Sequence, residues 1–263
     1  MTVGEHLMFL YELCDPSLPR LGPGDDQSTL KALETLLSVT RDDPGGVPHA
    51  ALRVLDIGCG NGAQTIELAR HIEGTILAVD DHQPYLDELK RRAEAVGVSG
   101  KIRIMSRDMS DMELTEKSFD LIWSEGALYI IGFEQGLALC HSLLVPDGLL
   151  AVSELCWLRP DPPSECRHFF KNEYPDMANI ETRVSQITGA GYELVDHFVL
   201  PESAWWEPYY NPVEERLRSF RRSYSADPKR LAMIELFQTE IEMYRAYSHY
   251  YGYVFFLMYK GPR

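Results

Sequence analysis

The chain has 263 residues, of which 45% are hydrophobic and 25% are charged. This length and composition are typical of one large α/β domain, or of one domain with appended cap segments, that can bury a sizeable core. The formal net charge is −15. Because so acidic a surface repels phosphate backbones and anionic lipids, we expect neither nucleic acid nor a membrane surface as a partner.

The sequence also predicts a cytoplasmic location. Charged residues, among them Glu5 and Glu12, interrupt the N-terminal stretch, and no apolar run approaches the ~18 residues of a membrane-spanning helix. The five cysteines form an odd set without a CxxC pair. This pattern favours reduced thiols over a disulfide framework and gives no spacing typical of a metal site.

In chain order, the first predicted segment is an N-terminal helical cap, residues 1–45. Apolar residues recur at helical spacing over residues 2–13 and about 27–39, and a Pro/Gly-rich break follows at residues 42–46. We interpret the whole chain, 1–263, as a single domain to which this cap belongs.

From residue 46 to 154 strand and helix signals alternate, which is the pattern of a parallel sheet covered by helices. The predicted strands are residues 53–57, 75–79, 102–105, 119–123 and 149–153. The predicted helices between them are residues 63–71, 84–96 and 134–144. This region is the predicted cofactor-binding core.

After Glu154 the regular alternation stops. Residues 155–178 and 201–250 are expected to be cap insertions on the substrate side of the core. A helix at 180–189 and a strand at 192–199 lie between the two insertions, and the second insertion carries helices at about 212–224 and 227–248. Residues 251–263 contain the final strand, which we predict at 253–259 from its β-forming residues.

The glycines at positions 58, 60 and 62 are the most informative feature. They directly follow the first predicted strand and directly precede the helix that begins at Ala63. A bare turn of this kind lets main-chain N–H groups meet a ligand, and it lies at the sheet edge where open α/β folds bind nucleotide-like cofactors. Gly58, Gly60 and Ala63 also satisfy a relaxed dinucleotide fingerprint, so an NAD-dependent oxidoreductase is one alternative.

Three features favour a different adenosine-containing cofactor. Asp56 lies two residues before the first glycine, where a carboxylate is awkward beside a pyrophosphate but suits a ligand with an amino group and a sulfonium cation. Asp108 and Met109 follow the third strand, where an acid and a main-chain N–H can contact an adenine edge. No Tyr-x-x-x-Lys constellation for hydride transfer is present. Asp80, about 20 residues past the turn, suits ribose hydroxyls in either case.

These motifs resemble the ordered signature blocks of class I S-adenosylmethionine-dependent methyltransferases, in particular a small-molecule branch of that family. The matching blocks are residues 54–62, Asp80, Asp108 with Met109, residues 119–126 and residues 144–148. The resemblance implies an α/β, Rossmann-like seven-stranded sheet whose last strand is antiparallel, with helical cap segments. It also implies S-adenosylmethionine as cofactor, S-adenosylhomocysteine as product and a small-molecule acceptor.

The resemblance further implies roles for individual residues. The expected cofactor-binding residues are Asp56, Gly58, Cys59, Gly60, Asn61, Gly62, Asp80, Asp81, Asp108, Met109 and Ser124. Asp81 competes with Asp80 for the ribose, and Ser124 is expected to line the pocket between cofactor and acceptor.

The acceptor side is less defined. Glu125, Glu154 and Tyr129 are the catalytic candidates, since an acceptor that must lose a proton needs a general base. A helix-end or strand-end acid is the alternative interpretation of both glutamates. Aromatic residues that suit a planar or cationic acceptor, or fill the core beneath a cap, are Tyr129, Trp157, Trp205, Trp206, Tyr209 and Tyr210.

Two further hypotheses stay open at this point. The chain could retain the fold as a non-catalytic ligand sensor or assembly protein, and its aromatic cap segments could form a homodimer contact. Cys156 and Cys166 flank the cap, and thiolates there could bind a metalloid, although no residue spacing predicts a metal site.

Overall fold

A mixed β-sheet forms the centre of the computed structural model, which describes residues 3–41 and 51–261. Its strands are β1 Leu52–Ile57, β2 Gly74–Asp80, β3 Ile102–Ser106, β4 Phe119–Glu125, β5 Leu144–Trp157, β6 Ala178–Asn179, β7 Tyr192–Val199 and β8 Tyr251–Lys260. They lie in the order β3-β2-β1-β4-β5-β8-β7, with the two-residue β6 paired to β5. β8 runs antiparallel to both of its neighbours. The predicted fold class is therefore confirmed, with β6 as an addition.

Helices cover the sheet and extend beyond it. They are α1 Val3–Leu13, α2 Asp26–Arg41, α3 Ala63–His71, α4 Gln83–Ala95, α5 Phe133–Leu143, α6 Ser164–Glu173, α7 Ile180–Gly189, α8 Ser203–Trp205, α9 Asn211–Ser223 and α10 Pro228–Tyr247. Short 3₁₀ helices occupy Ser99–Lys101 and Leu128–Ile130, and a π-helical turn, Trp206–Tyr210, joins α8 to α9. The predicted break at residues 42–46 lies outside the described residues.

Two local predictions differ from the structure. β5 extends beyond the predicted residues 149–153 at both ends, because Leu144 pairs with Phe119 of β4 and because β8 pairs with β5 as far as Trp157. The second difference is α6, a helix within the cap insertion 155–178, where the sequence analysis assigned no individual helix. Its apolar residues Cys166 and Phe170 lie four positions apart and are both buried.

Apolar clusters on both faces hold the helices to the sheet. One face packs against α5 and α7 through residues such as Leu137 and Ile187, and the other packs against α2 and α3 through Leu36 and Leu68. A further cluster joins α1, α6, α9 and α10 to the ends of β5 and β8. This cluster is the apolar core of the cap segments.

The parallel register brings the signature residues to one edge. β1, β2 and β4 pair side by side and end at Ile57, Asp80 and Glu125. The carboxyl ends of parallel strands form the ligand-binding edge of open α/β sheets. The turn after β1 therefore lies between the acids at the ends of β2 and β4.

Asp56 ties the end of β1 to α3. Its side chain is fully buried, and its carboxyl accepts hydrogen bonds from Thr65 Oγ1 at 2.6 Å and Gln64 Nε2 at 3.4 Å. Because both donors lie in the first turn of α3, these bonds fix the glycine turn between strand and helix. Burial raises the pKa of Asp56 to about 7.

The loop between α1 and α2, residues 14–25, is fastened over the sheet edge at two places. The guanidinium of Arg92 on α4 donates to the carbonyl oxygens of Pro16, Leu18 and Pro19 at 2.7–3.1 Å. Arg20, which is buried, forms an ion pair with Glu125 at 2.9 Å and a second one with Asp26 at 3.0 Å. The N-terminal cap is thus attached to the end of β4.

By length and hydropathy, none of the helices in the described parts of the chain could cross a membrane.

Replacing Glu125 by glutamine is expected to lower the free energy of unfolding by about 2–4 kcal/mol, since the buried Arg20 loses its buried partner. Asp26→Asn is the matched control: the Asp26 side chain is 63% exposed, so its loss should cost less than about 1 kcal/mol. Urea unfolding of both variants measures the difference. Equal losses, or an unaffected Glu125→Gln protein, would contradict the anchoring role.

The pKa of Asp56 predicts a loss of stability as the pH rises. Its folded value of about 7 lies above the ordinary value of 3.8, so the folded chain keeps a proton that the unfolded chain loses. The resulting stabilisation is present at low pH and is lost as the pH rises from about 4 to 7. Relative to the wild type, Asp56→Asn should gain about 2–3 kcal/mol in free energy of unfolding between pH 5 and 8. Parallel stability curves for the two proteins would disprove this assignment.

Candidate active site

A cavity of about 460 Å³ lies at the carboxyl edge of the sheet, beneath the cap segments. Residues of the glycine turn and of the ends of β2 and β4 line one part of it, and the N-terminal cap contributes residues between Leu10 and Pro23. Its size and its mixture of apolar and convergent polar groups are typical of a small-molecule site.

The glycine turn is open to this cavity because it carries no side chains. Gly58 and Gly60 have φ values of 70° and 53°, in the left-handed region that favours glycine. A Cβ on Gly58 would lie 2.4 Å from Ala127 Cβ, and one on Gly60 would lie 2.9 Å from Leu21 Cδ1. The main chain can therefore approach a ligand here, which fits the methionine end of the implied cofactor.

Asp80 lines the cavity next to this turn. Its carboxylate accepts hydrogen bonds from the N–H of Gly60 at 2.9 Å and from the N–H of His82 at 3.0 Å, one on each oxygen. Burial raises the pKa of Asp80, and these two bonds partly oppose the shift. Each oxygen keeps a lone pair that can accept from a ribose hydroxyl. Asp81 also lines the cavity and is more exposed.

Asp108 and Met109 line the cavity after β3, as the sequence predicts. One oxygen of Asp108 accepts from the N–H and the hydroxyl of Ser110. These bonds lower the pKa of Asp108. Its second oxygen is available to an amino group such as that of adenine.

Asn61, one of the expected cofactor-binding residues, also contacts the N-terminal cap. It lines the cavity, but its Nδ2 donates to the carbonyl oxygens of Pro16 and Leu18 at 3.1 and 2.7 Å. The Asn61 side chain therefore holds the N-terminal cap over the turn. Cys59 also lines the cavity, and burial raises the pKa of its thiol.

The structure does not bring three of the expected cofactor residues to the cavity. Asp56 is buried behind the turn, with α3 taking both of its carboxyl oxygens. Gly62 faces α4, where a Cβ would lie 2.1 Å from Leu89 Cδ1. Ser124 was expected to line the pocket, but it is buried within the sheet and donates to the Ile57 carbonyl at 2.9 Å.

Glu125 lines the cavity, yet both of its oxygens are engaged. Oε2 accepts from Arg20, and Oε1 accepts from Thr29 Oγ1 at 2.7 Å and Trp123 Nε1 at 2.9 Å. A carboxylate that accepts from a guanidinium and two neutral donors is fixed in place by those three contacts. This arrangement suits a positioning residue better than a general base.

Glu154 does not reach the cavity. It is 1% exposed, and its Oε1 accepts from Tyr174 Oη and lies 3.5 Å from Arg183 Nη2. Burial raises the pKa of Glu154 to about 6. The structure corrects the expectation that this acid faces the acceptor: Glu154 ties the chain around Tyr174 and α7 to β5.

The second part of the cavity, which we name the aromatic chamber, is enclosed mainly by rings. Its lining residues are Tyr129, Phe169, Phe170, Glu173, Tyr174, Trp205, Tyr209, Tyr210, Phe237, Glu240, Tyr251 and Tyr253. Four of the six expected aromatic residues are among them, whereas Trp157 and Trp206 are not. Tyr129 packs edge-on against Tyr174, with ring centroids 5.7 Å apart.

Glu240 is the functional candidate that the sequence reasoning missed. It lies on α10, and its Oε1 accepts a hydrogen bond from Tyr210 Oη at 3.0 Å. Burial, and to a smaller extent the nearby Glu173, raise its pKa to about 7. A signal was available: Glu240 lies three residues after Phe237 and four before Tyr244, within the apolar stripe of its helix.

The cysteines give no support to a metal or metalloid site. Cys156 and Cys166 are buried outside the cavity lining, and burial raises the pKa of their thiols to about 12 and 11. Such thiols stay protonated at neutral pH, whereas thiolates are the metal ligands. Within the described ranges, no three His, Cys, Asp or Glu side chains are placed to hold a metal ion.

Comparisons with known proteins agree with this geometry. Residues 54–148 match a family model described as a methyltransferase domain. A sterol 24-C-methyltransferase of Neurospora crassa is 26% identical over 183 residues, which are 66% of this chain and 48% of that protein. The chain thus spans about half the length of this curated relative.

Two solved structures share the fold over nearly the whole chain. A methyltransferase from Geobacter sulfurreducens in complex with S-adenosylhomocysteine has a TM-score of 0.78 and 20% identity, and covers 97% of this chain and 98% of its own. The [4+2]-cyclase SpnF has a TM-score of 0.70 and 16% identity, with 99% and 93% coverage. Together with the methyltransferase-domain model matched over residues 54–148, they show that the chain has the fold of S-adenosylmethionine-dependent methyltransferases.

Proposed function

We propose that this protein transfers a methyl group from S-adenosylmethionine to a small-molecule acceptor. The observation that carries the proposal is the continuity of the cavity: the bare turn at Gly58 and Gly60, with Asp80 beside it, opens into the same space as the aromatic chamber. A donor held at the turn and an acceptor held among the rings would share one enclosed site.

The proposed donor contacts divide among few residues. The N–H groups of the glycine turn would hold the methionine part, Asp80 the ribose hydroxyls, and Asp108 with Met109 the adenine. When bound, the donor supplies a methyl group that its sulfonium already makes electrophilic. The chain's own contribution would then be alignment, which can supply roughly 7–11 kcal/mol in favourable cases, and exclusion of water.

The N-terminal cap would exclude that water. Arg20 and Glu125 fasten it to β4, and the side chain of Asn61 fastens it to the turn itself. We therefore propose Glu125 as a positioning residue whose ion pair keeps the cap closed over the donor, in place of the general base expected from its position at the end of β4.

The cavity volume favours a small acceptor. A space of about 460 Å³ lies in the lower half of the range for small-molecule sites, and the donor would occupy much of it, which leaves room for only a small acceptor beside it. A sterol has about as many non-hydrogen atoms as the donor itself. The likeness to sterol methyltransferases is therefore not carried over to the acceptor of this chain.

A second candidate function is binding of the donor by a sensor or for a chemistry other than methyl transfer, and one specific observation supports it. A protein named as a cyclase shares this fold, so the fold alone does not establish methyl transfer. Transfer of a labelled methyl group from S-adenosylmethionine to any member of a metabolite pool would support the methyltransferase. Tight donor binding without transfer would favour a sensor or another chemistry.

The proposed partners are small molecules, and the proposed compartment is the cytoplasm. All five cysteines are free and buried, which fits reduced thiols. The homodimer stays a prediction, and measurement of the protein's mass in solution would test it.

Asp80→Asn is expected to weaken the binding of S-adenosylhomocysteine by about 10–100-fold, because a charge-assisted hydrogen bond to ribose becomes a neutral one. Asp81→Asn is the matched control, with an expected change of less than about threefold, since an exposed acid has water as an alternative partner. Calorimetric titration of both variants, with circular dichroism as a check on folding, measures this. A larger effect at Asp81 would identify Asp81, and not Asp80, as the residue that binds the ribose. Equal binding by all three proteins would refute the proposed site.

A further inference from the structure

We propose that the aromatic chamber is a subsite for a positively charged amine, with the carboxylate of Glu240 as its counter-charge. This inference rests on the proposed function, since it names the class of acceptor that the same cavity would take.

The chamber is directly connected to the glycine turn through a short series of contacts. Gly58 lies against Ala127, and the open side of Gly126 faces the ring of Tyr253, 3.4 Å from the position of a Cβ. The ring of Tyr253 lies 5.4 Å from that of Trp205, which in turn lies 5.7 Å from the ring of Tyr210. An occupant of the chamber is therefore a neighbour of the donor site.

The charged side chains that line the chamber are all acidic. Glu240 and Glu173 line it, and no lysine, arginine or histidine does so among the described residues. The cavity's two arginines lie in its other part, where Arg20 is paired with Glu125 and Asp26. A phosphate or carboxylate group in the chamber would face two acids and no cation, so an anionic acceptor is disfavoured.

The rings around Glu240 favour a cation over a neutral group. Ring faces attract ammonium groups, most strongly where the cation is desolvated. Tyr210 is 2% exposed, Tyr251 is 1% exposed and Trp205 is 3% exposed, so these packed rings keep water from one side of Glu240, which is itself only partly exposed. An unpaired carboxylate is costly in such surroundings, and a bound cation removes that cost.

Glu240 is also free to act on such a group. Only its Oε1 accepts a hydrogen bond among the described residues, from Tyr210. An ammonium group beside Oε2 can transfer a proton to that oxygen: the N–H bond breaks, its electron pair stays on nitrogen, and the proton bonds to Oε2. The amine then holds the lone pair that a methyl acceptor needs.

The test compares two probes of the same shape, choline and 3,3-dimethylbutan-1-ol, in which carbon replaces the charged nitrogen. Each is titrated calorimetrically into the full chain, with and without saturating S-adenosylhomocysteine. We expect choline to bind at least tenfold more tightly than the neutral probe. Glu240→Gln should remove at least tenfold of the choline affinity while leaving the neutral probe and S-adenosylhomocysteine within about twofold.

Glu173→Gln is the matched control, because it removes an exposed acid from the same chamber. Its expected effect on the affinity for choline is less than threefold.

The choline affinity should also rise between pH 6 and 8 in the wild type and not in Glu240→Gln, since the cation binds the ionised carboxylate. The other titratable groups that face Glu240 are Glu173, Cys14 and the tyrosines of the chamber. Burial raises the pKa of Cys14 to about 12 and those of the tyrosines above 10, outside this range.

Equal affinity for the two probes, no binding of either one, or choline binding that survives Glu240→Gln would each overturn the inference. Failure of S-adenosylhomocysteine to bind would instead overturn the proposed function, and the titrations without it would still test the chamber.

Discussion

The absence of side chains at the glycine turn is the constraint on which the rest of the site depends. Three parts of the chain meet there: Ala127 after β4 packs on Gly58, Leu21 of the N-terminal cap packs on Gly60, and Leu89 of α4 packs on Gly62. In each case a Cβ would lie less than 3.0 Å from the neighbouring side chain. The lack of side chains that lets a ligand approach the turn from the cavity therefore also lets the cap, the sheet and α4 pack closely against its other sides.

Much of the core could be predicted from the sequence, because its signals are local. The helix 63–71 and the strand 192–199 have the predicted bounds, and the order of strands and glycines fixed the ligand-binding edge. Asp80, Asp108 and Met109 reach the cavity for the same reason: each lies at or just after the end of a parallel strand, and that end must lie at this edge.

The partners of the buried acids could not be predicted, since they come from distant parts of the chain. Glu125 pairs with Arg20, 105 positions away, and no local pattern distinguishes that role from a catalytic one. Glu154 pairs across to Tyr174 and Arg183 for a similar reason. Glu240 reaches the cavity only because α10 packs beside the π-helical turn that carries Tyr210. The position of a residue along a strand predicts where in the fold it lies, whereas its hydrogen-bond and ion-pair partners determine whether it can act as a base.

The place of β8 has a consequence for how the chain is made. β8 lies between β5 and β7, although it follows both in sequence. During synthesis, at about 5–20 residues per second, β7 has no neighbouring strand for several seconds, and the edge of β5 stays open for longer. α9 and α10 emerge from the ribosome during that wait. The sheet is thus completed from its interior, and the strand that completes it carries Tyr251 and Tyr253, so the chamber gains its last two rings as the sheet closes.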